Sequence, residues 1–435
     1  MMIKLQEVVC ALLQFGSARN DRCSTMLKMR KVNLARSAGA VMLGMAIAMT
    51  GSLAQAGARD QAKRMYDRIA GVPPTEAELN AMMAIMDADN DDVTDSDAAA
   101  QAAAELALDS SGFYNVTLKN MATPWTNEEQ TLFADLNDFT ATVIGLVRDG
   151  DDFRKVLYDD VIYVGAIGGI SPYSNDSNDH YVELEASGEN LGDPAVLERR
   201  TQSSVTALDS AATAGVMTTR AAAKAFFVAG TNRAMFRFTM MNFMCRDLEQ
   251  VQDTSRTPDR IRQDVSRSPG GDSRIFLNRC VGCHSGMDPL AQAFAYYNWT
   301  GEEGTEAGRL QYTANSVQPK YLINADNFRY GYATPNDNWD NYWREGPNSV
   351  LGWNATPFTG NTGSGSGAKS MGAELAHSDA FAECQVKKVF TTVCLHEPTT
   401  SADHAQVSSM VSNLEASNYN LQTAFVDAAA YCRGD

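Results

Sequence analysis

Positive charge is scarce in this sequence. Its 36 Lys and Arg stand against 53 Asp and Glu, a net charge of −17, and a chain so acidic repels nucleic acid and anionic lipid. Histidine and tryptophan are rarer, at 5 residues each. Beyond residue 53 no apolar run approaches the roughly 20 residues that a membrane-spanning helix needs. No segment repeats itself, which argues against a solenoid. A four-ligand zinc site also lacks its second close cysteine pair, because nine residues separate Cys384 from Cys394.

What is present begins at the N-terminus. Residues 26–36, MLKMRKVNLAR, are basic, and residues 37–53, SAGAVMLGMAIAMTGSL, are small and apolar. Ala54, Gln55 and Ala56 then offer an A-x-A cleavage pattern before Gly57. This is the layout of a secretory signal peptide; a membrane anchor fits worse, because the apolar run is short and rich in Ala and Gly. The first 25 residues match no part of the layout, so Met26 is a candidate translation start. The expectation is a presequence over 1–56 and an exported chain over 57–435, periplasmic or secreted, with no membrane span after cleavage. Residues 1–56 hold 7 basic and 2 acidic side chains, which leaves the exported part at −22.

Hydrophobic periodicity makes the fold class mainly α. Residues 57–150 form a helical N-terminal domain: DQAKRMYDRIAG stops at Gly71, and Thr75 with Glu78 makes a capping box. Two further helical patterns follow, DAAAQAAAELAL and NEEQTLFADLNDFTATVIGLVRD. Residues 151–246 are looser, with helix returning over TTRAAAKAFFVAG and NRAMFRFTMMNFMC. A charged linker with Pro258 and Pro269 spans 247–273. Residues 274–435 form a C-terminal helical domain, interrupted over 300–367 by a Gly- and aromatic-rich insertion with room for one hairpin. Its last helices are expected over 371–395, 402–417 and 420–432.

The chemistry concentrates in NRCVGCHSGMDPL, residues 278–290, where Cys280, Cys283 and His284 form C-x-x-C-H. Random placement of 8 Cys and 5 His in 435 positions would give that pattern about 0.002 times. The spacing is that of c-type haem attachment: two thiols one helical turn apart reach the two vinyl groups, and the adjacent imidazole binds iron. Phe276 and Leu277 are expected under the porphyrin. Asp288 is read as the cap of a new helix with Pro289 at its first position, whose Leu290, Phe294 and Tyr297 wall the pocket. A thioredoxin-type centre would need a βαβ context, and a plain disulfide would leave His284 without a purpose. Among the cysteines after residue 56, haem takes two and leaves Cys245, Cys384, Cys394 and Cys432. Three pairings of these are possible. Antiparallel packing of three C-terminal helices favours Cys394–Cys432 with Cys245–Cys384.

The sixth iron ligand decides between a closed electron carrier and an open reactive site. Met371, after a Gly/Ser stretch and before a helix, is the first candidate, and His180 is the second. Met240, Met241 and Met244 are a third option, whereas Met287 is too near His284. His377, His396 and His404 read as surface residues. Arg233 and Arg237, one turn apart, could hold haem propionates. DADNDDVTD resembles a calcium loop in Asp87, Asp89 and Asp91, but Asp92 stands where Gly is needed and Ala98 where Glu is needed, so calcium is not expected. Trp339, Trp343 and Trp353 suit a glycan surface or irregular core packing.

CVGCHSGMDPLAQAF resembles the haem segment of the planctomycete-type cytochrome c proteins. RIAGVPPTEAEL, AGTNRAMFRFTMMNFMC, AFAECQVKKVFTTVCL and SNYNLQTAFVDAAAYC resemble their flanking helices. The departure is Ala291-Gln292, where that family has Gly-Phe. The residues and the resemblance together imply an exported monohaem cytochrome c that moves single electrons, its acidic surface steering a redox partner with a basic docking face. A haem peroxidase or oxidase with an open distal site, or a glycan- or protein-binding module with structural haem, are the alternatives.

Overall fold

Gly71 ends the first helix as its sequence predicts. In the structure, a computed structural model that describes residues 57–88, 96–228, 230–256, 260, 273–302, 304–322 and 332–434, α1 (Ala58–Ala70) stops where Gly71 adopts φ 70°, a conformation that a side chain would strain. α2 (Glu76–Ala88) opens with the capping box: Thr75 Oγ1 accepts from the Glu78 N–H (3.3 Å) and Glu78 Oε2 from the Thr75 N–H (2.7 Å). α3 (Ser96–Leu108) packs on both helices. Ala98 lies within it; the acidic loop from 89 to 95 lies outside the described residues.

The helix expected through 127–149 is cut short. Thr123–Thr126 tightens into a 3-10 turn containing Pro124, and 127–137 are irregular. α4 (Asp138–Arg148) begins only where the Asn137 side chain accepts from the Thr140 N–H. β1 (Ile162–Gly165) then pairs antiparallel with β2 (Leu197–Arg200), with α5 (Asp179–Ser187) between them in sequence. α6 (Arg220–Phe226), α7 (Arg233–Phe243) and α8 (Val281–Ala291) follow.

Two small antiparallel sheets, rather than one hairpin, involve the insertion: β3 (Tyr297–Trp299) with β4 (Leu310–Tyr312), and β5 (Asn338–Asp340) with β6 (Ser364–Ser366). The chain closes with α9 (Gly367–Ala376), α10 (Asp379–Cys394), α11 (Ser401–Ala416) and α12 (Leu421–Tyr431). The single helix predicted over 371–395 breaks at His377-Ser378, because the Ser378 side chain caps α10 by accepting from the Phe381 N–H.

One hydrophobic core joins these elements, with Met65 of α1, Ile144 of α4, Phe243 of α7, Leu290 of α8, Phe381 of α10 and Phe425 of α12 all contributing. Residues Gly57–Gly434 accordingly form one compact unit, and the segments 57–150, 151–246 and 274–435 share that core. The two ends of this unit meet: α1 and α3 pack on α12, and Arg64 and Arg68 donate to the carbonyls of Arg433 and Cys432, each at 2.7 Å. The favoured cysteine pairing is present, with Cys245–Cys384 and Cys394–Cys432 bonded at Cα separations of 5.2 and 5.5 Å. Among the described residues no helix is long and apolar enough to cross a membrane.

A candidate cofactor site around Cys280, Cys283 and His284

The C-x-x-C-H stretch lies on a nearly continuous helical rod. A helical turn over Ser273–Ile275 runs into a π-helical turn, Phe276–Cys280, and then into α8. Such π-turns recur at functional sites. Cys280 and His284 are four residues apart and therefore share a helix face. The rod is held from its other side. Gly282 and Gly286, also four apart, carry no side chain, so neighbours come close: the Asp253 N–H donates to the Gly282 carbonyl (2.9 Å), and a Cβ at Gly286 would meet the Trp343 indole nitrogen at 2.0 Å. Ser285 adds a bond to the Asp253 carbonyl at 2.6 Å.

Residues 247–256, the described beginning of the expected linker, thus run along α8 instead of crossing open surface; Pro258 and Pro269 lie outside the described residues. The insertion tryptophans are also packing residues. Trp339 and Trp343 are fully buried, Trp339 donating to Ser370 Oγ (2.8 Å), while the Trp353 indole donates to the Trp343 carbonyl (2.9 Å).

Cys280 and Cys283 are half-buried free thiols. Cys283 Sγ donates to the Leu248 carbonyl at 3.5 Å; burial, with Glu249 and Asp247 nearby, pushes its pKa up. A disulfide-exchange centre needs the opposite shift, toward thiolate. The His284 ring sits 5.3 Å from the Phe276 ring. Its Nδ1 faces Asp288 Oδ2 at 3.1 Å, while Nε2 makes no hydrogen bond among the described residues.

Asp288 departs most from the sequence reading. It caps no new helix: α8 runs through it and through Pro289 to Ala291. The Asp288 carboxylate is fully buried, gripped by Arg233 through Nε–Oδ1 at 2.7 Å and Nη2–Oδ2 at 3.0 Å. Burial would push its pKa up, but Arg233 and His284 outweigh that and hold it well below the usual carboxylate range. Arg233 is aimed by its neighbour Asn232, whose side-chain amide donates to the Phe294 and Tyr297 carbonyls (2.8 and 2.9 Å) and so fixes the start of α7. The i, i+4 spacing of His284 and Asp288 was the available signal; the Asp-Pro pair masked it by reading as a helix start.

Other nominated residues lie elsewhere. Exposed Arg237 makes a two-bond pair with half-buried Asp247. Met371 is fully buried in α9, which packs on Phe153–Leu157 and Gln292–Phe294. His180 is not a surface residue: it is buried, with Nε2 accepting from the Gly165 N–H (2.8 Å) and Nδ1 bonded to the Ser171 carbonyl (2.7 Å). Met240 and Met244 are core residues, and Met244 Sδ accepts from Ser378 Oγ. His377 is half-buried, its Nδ1 on the Ala373 carbonyl, whereas His396 and His404 are exposed. Leu277 is 48% exposed, and Leu290, Phe294 and Tyr297 belong to a helix, a 3-10 turn and a strand of the main core.

The donor set discriminates between bound groups. Among the described residues no group of three His, Cys, Asp or Glu side chains is arranged to hold a metal ion. Two thiols outside any disulfide, an imidazole with one nitrogen uncommitted, and exposed Ile275 and Leu277 beside them fit a large, flat, apolar group carrying its own metal. No family model, curated protein or solved structure matches the chain, so this fit rests on the residues themselves.

Proposed function

We propose that the protein is an exported monohaem c-type cytochrome that passes single electrons, of the planctomycete type that its sequence resembles. One observation carries this reading. Cys245, Cys384, Cys394 and Cys432 are all paired, yet the two cysteines of C-x-x-C-H remain thiols beside an imidazole with a bare Nε2. The disulfides also support an oxidising compartment and hence export. Cys280 and Cys283 would hold haem as thioethers and His284 would ligate its iron; when bound, haem supplies reversible one-electron chemistry. The chain's own residues prepare the site. Burial keeps the Cys283 thiol protonated, Leu248 orients it, Phe276 supports the imidazole, and Asp288 accepts from its other nitrogen. The acidic chain, at −17 overall, would favour a redox partner with a basic face.

Because Met371 and His180 are both committed to packing, a second reading gains weight: a haem peroxidase or related oxidase with the position opposite His284 open. The test is periplasmic expression followed by oxidised and reduced spectra and intact mass. One covalent haem per chain, with a spectrum unmoved by cyanide or carbon monoxide, is the expected result. Rapid binding of either small ligand would favour the oxidase. A colourless product with both thiols free would overturn haem attachment.

A further inference from the structure

We infer that Asp288, clamped by Arg233, is the positioning residue for His284: it fixes the imidazole as its Nδ1–H tautomer, leaves Nε2 as the ligating atom, and biases the bound iron toward Fe(III). The inference rests on the haem reading for ligation and for the iron bias, and on the protein alone for the tautomer. A ligating histidine whose second nitrogen donates to a carboxylate is held in orientation and made more basic. Here the Nδ1–Oδ2 distance is 3.1 Å, and the two Arg233 bonds, at 2.7 and 3.0 Å, occupy both carboxylate oxygens. The Asp288 side chain is 1% exposed and that of Arg233 is 19% exposed, so water does little to screen the charges. A carboxylate that accepts from Nδ1–H loads electron density onto the imidazole and would stabilise the oxidised metal, while the two Arg233 bonds stop it from rotating away. Removing Arg233 alone would leave the buried Asp288 carboxylate without its paired charge, and removing Asp288 alone would take away the acceptor for Nδ1–H as well. The informative variant therefore replaces both partners by neutral groups that keep an acceptor for Nδ1–H.

Two measurements separate this inference from the haem reading. In the haem-free full-length chain, 15N spectra of labelled histidine should show Nδ1–H for neutral His284 in the wild type and a tautomer mixture in Asp288→Asn/Arg233→Gln. A dominant Nε2–H tautomer in the wild type would overturn the positioning role whether or not haem is ever attached. In the haem-loaded protein, that double variant should shift the Fe(III)/Fe(II) equilibrium at least tenfold toward the reduced state, about 59 mV for a one-electron couple. The iron–histidine stretching frequency should fall with it. Arg233→Lys, which keeps the ion pair, should stay within about threefold of wild type. Equal potentials in the wild type and the double variant would overturn the charge effect. Equal displacement in Arg233→Lys and the double variant would show a merely structural pair.

Discussion

Two cysteine-bearing helices in this molecule treat their sulfurs in opposite ways. α10 carries Cys384 and Cys394, both buried, and each is tied across the fold, to Cys245 just beyond α7 and to Cys432 just beyond α12. α8 carries Cys283 and follows directly on Cys280, and neither sulfur has a covalent partner. α10 is fastened to the structure by its own side chains. α8 is fastened mainly by its back, where Gly282, Ser285 and Gly286 meet Asp253 and Trp343, and of its chemistry-bearing residues Cys283 adds only a long bond to the Leu248 carbonyl. A helix anchored through glycines on one face can offer thiols and an imidazole on another without loss of position.

The largest effect that would break this contrast is loss of the α10 staples. In the chain-entropy account, a bridge spanning 139 residues contributes about 5 kcal/mol and one spanning 38 about 4 kcal/mol. Cys245→Ala/Cys384→Ala and Cys394→Ala/Cys432→Ala should therefore shift the urea midpoint strongly downward. Cys280→Ala/Cys283→Ala, measured on haem-free protein, should cost less than about 1 kcal/mol. A comparable loss in all three variants would mean that the thiols of α8 are structural after all.

The glycine face gives a sharper test with a smaller effect. Gly286→Ala places a methyl 2.0 Å from the buried Trp343 indole, and overpacking of this kind costs about 1–3 kcal/mol. Gly282→Ala meets Thr254 Cγ2 at 3.3 Å and the exposed Gln252 side chain at 3.4 Å. Thr254 is exposed and can yield, so the helix-propensity gain of up to about 1 kcal/mol should leave that variant neutral or slightly more stable. Thermal unfolding of the two single variants checks the ordering, and equal melting temperatures would deny that α8 is held through Gly286.

What the sequence revealed follows the range of each interaction. C-x-x-C-H, the Thr75–Glu78 capping box and the Gly71 stop are local, and each was legible. The disulfide pairing was reachable because three successive helices restrict which ends can meet. His180 was hidden by its polar flanks in SNDSNDHY, although α5 turns His180, Tyr181 and Leu184 inward together. Met371 follows a flexible-looking stretch, yet its burial is set by contacts with residues 153–157 and 292–294, which no window around position 371 reports. Arg233 was singled out as a candidate for propionates, but its partner Asp288 lies 55 residues away. The charge pair that singles out His284 was thus half local and half invisible.

The smallest predicted effect returns to α10 and to Lys388, which lies between its two cysteines. The ammonium sits 4.8 Å from the centre of the Trp125 ring, and burial pushes its pKa down to about 8, against a small opposing pull from Glu397. Below pH 8 the lysine is charged in both the folded and unfolded chains, and the folded chain bears the cost of burying that charge. Between about 8 and 10.5 the folded chain releases the proton while the unfolded chain keeps it, so this group's contribution to stability rises with pH. The shift alone corresponds to about 3 kcal/mol, and the cation–π contact returns about 1–2 kcal/mol, leaving a net cost of about 1–2 kcal/mol at neutral pH. Lys388→Met should therefore be more stable than wild type at pH 7 by about that amount, with the gap closing as pH approaches 10.5. Lys387→Met, one residue away and paired at the surface with Glu383, should show no such closing gap. A pH-independent gain in Lys388→Met would assign the effect to apolar packing against Trp125 instead of to the buried charge.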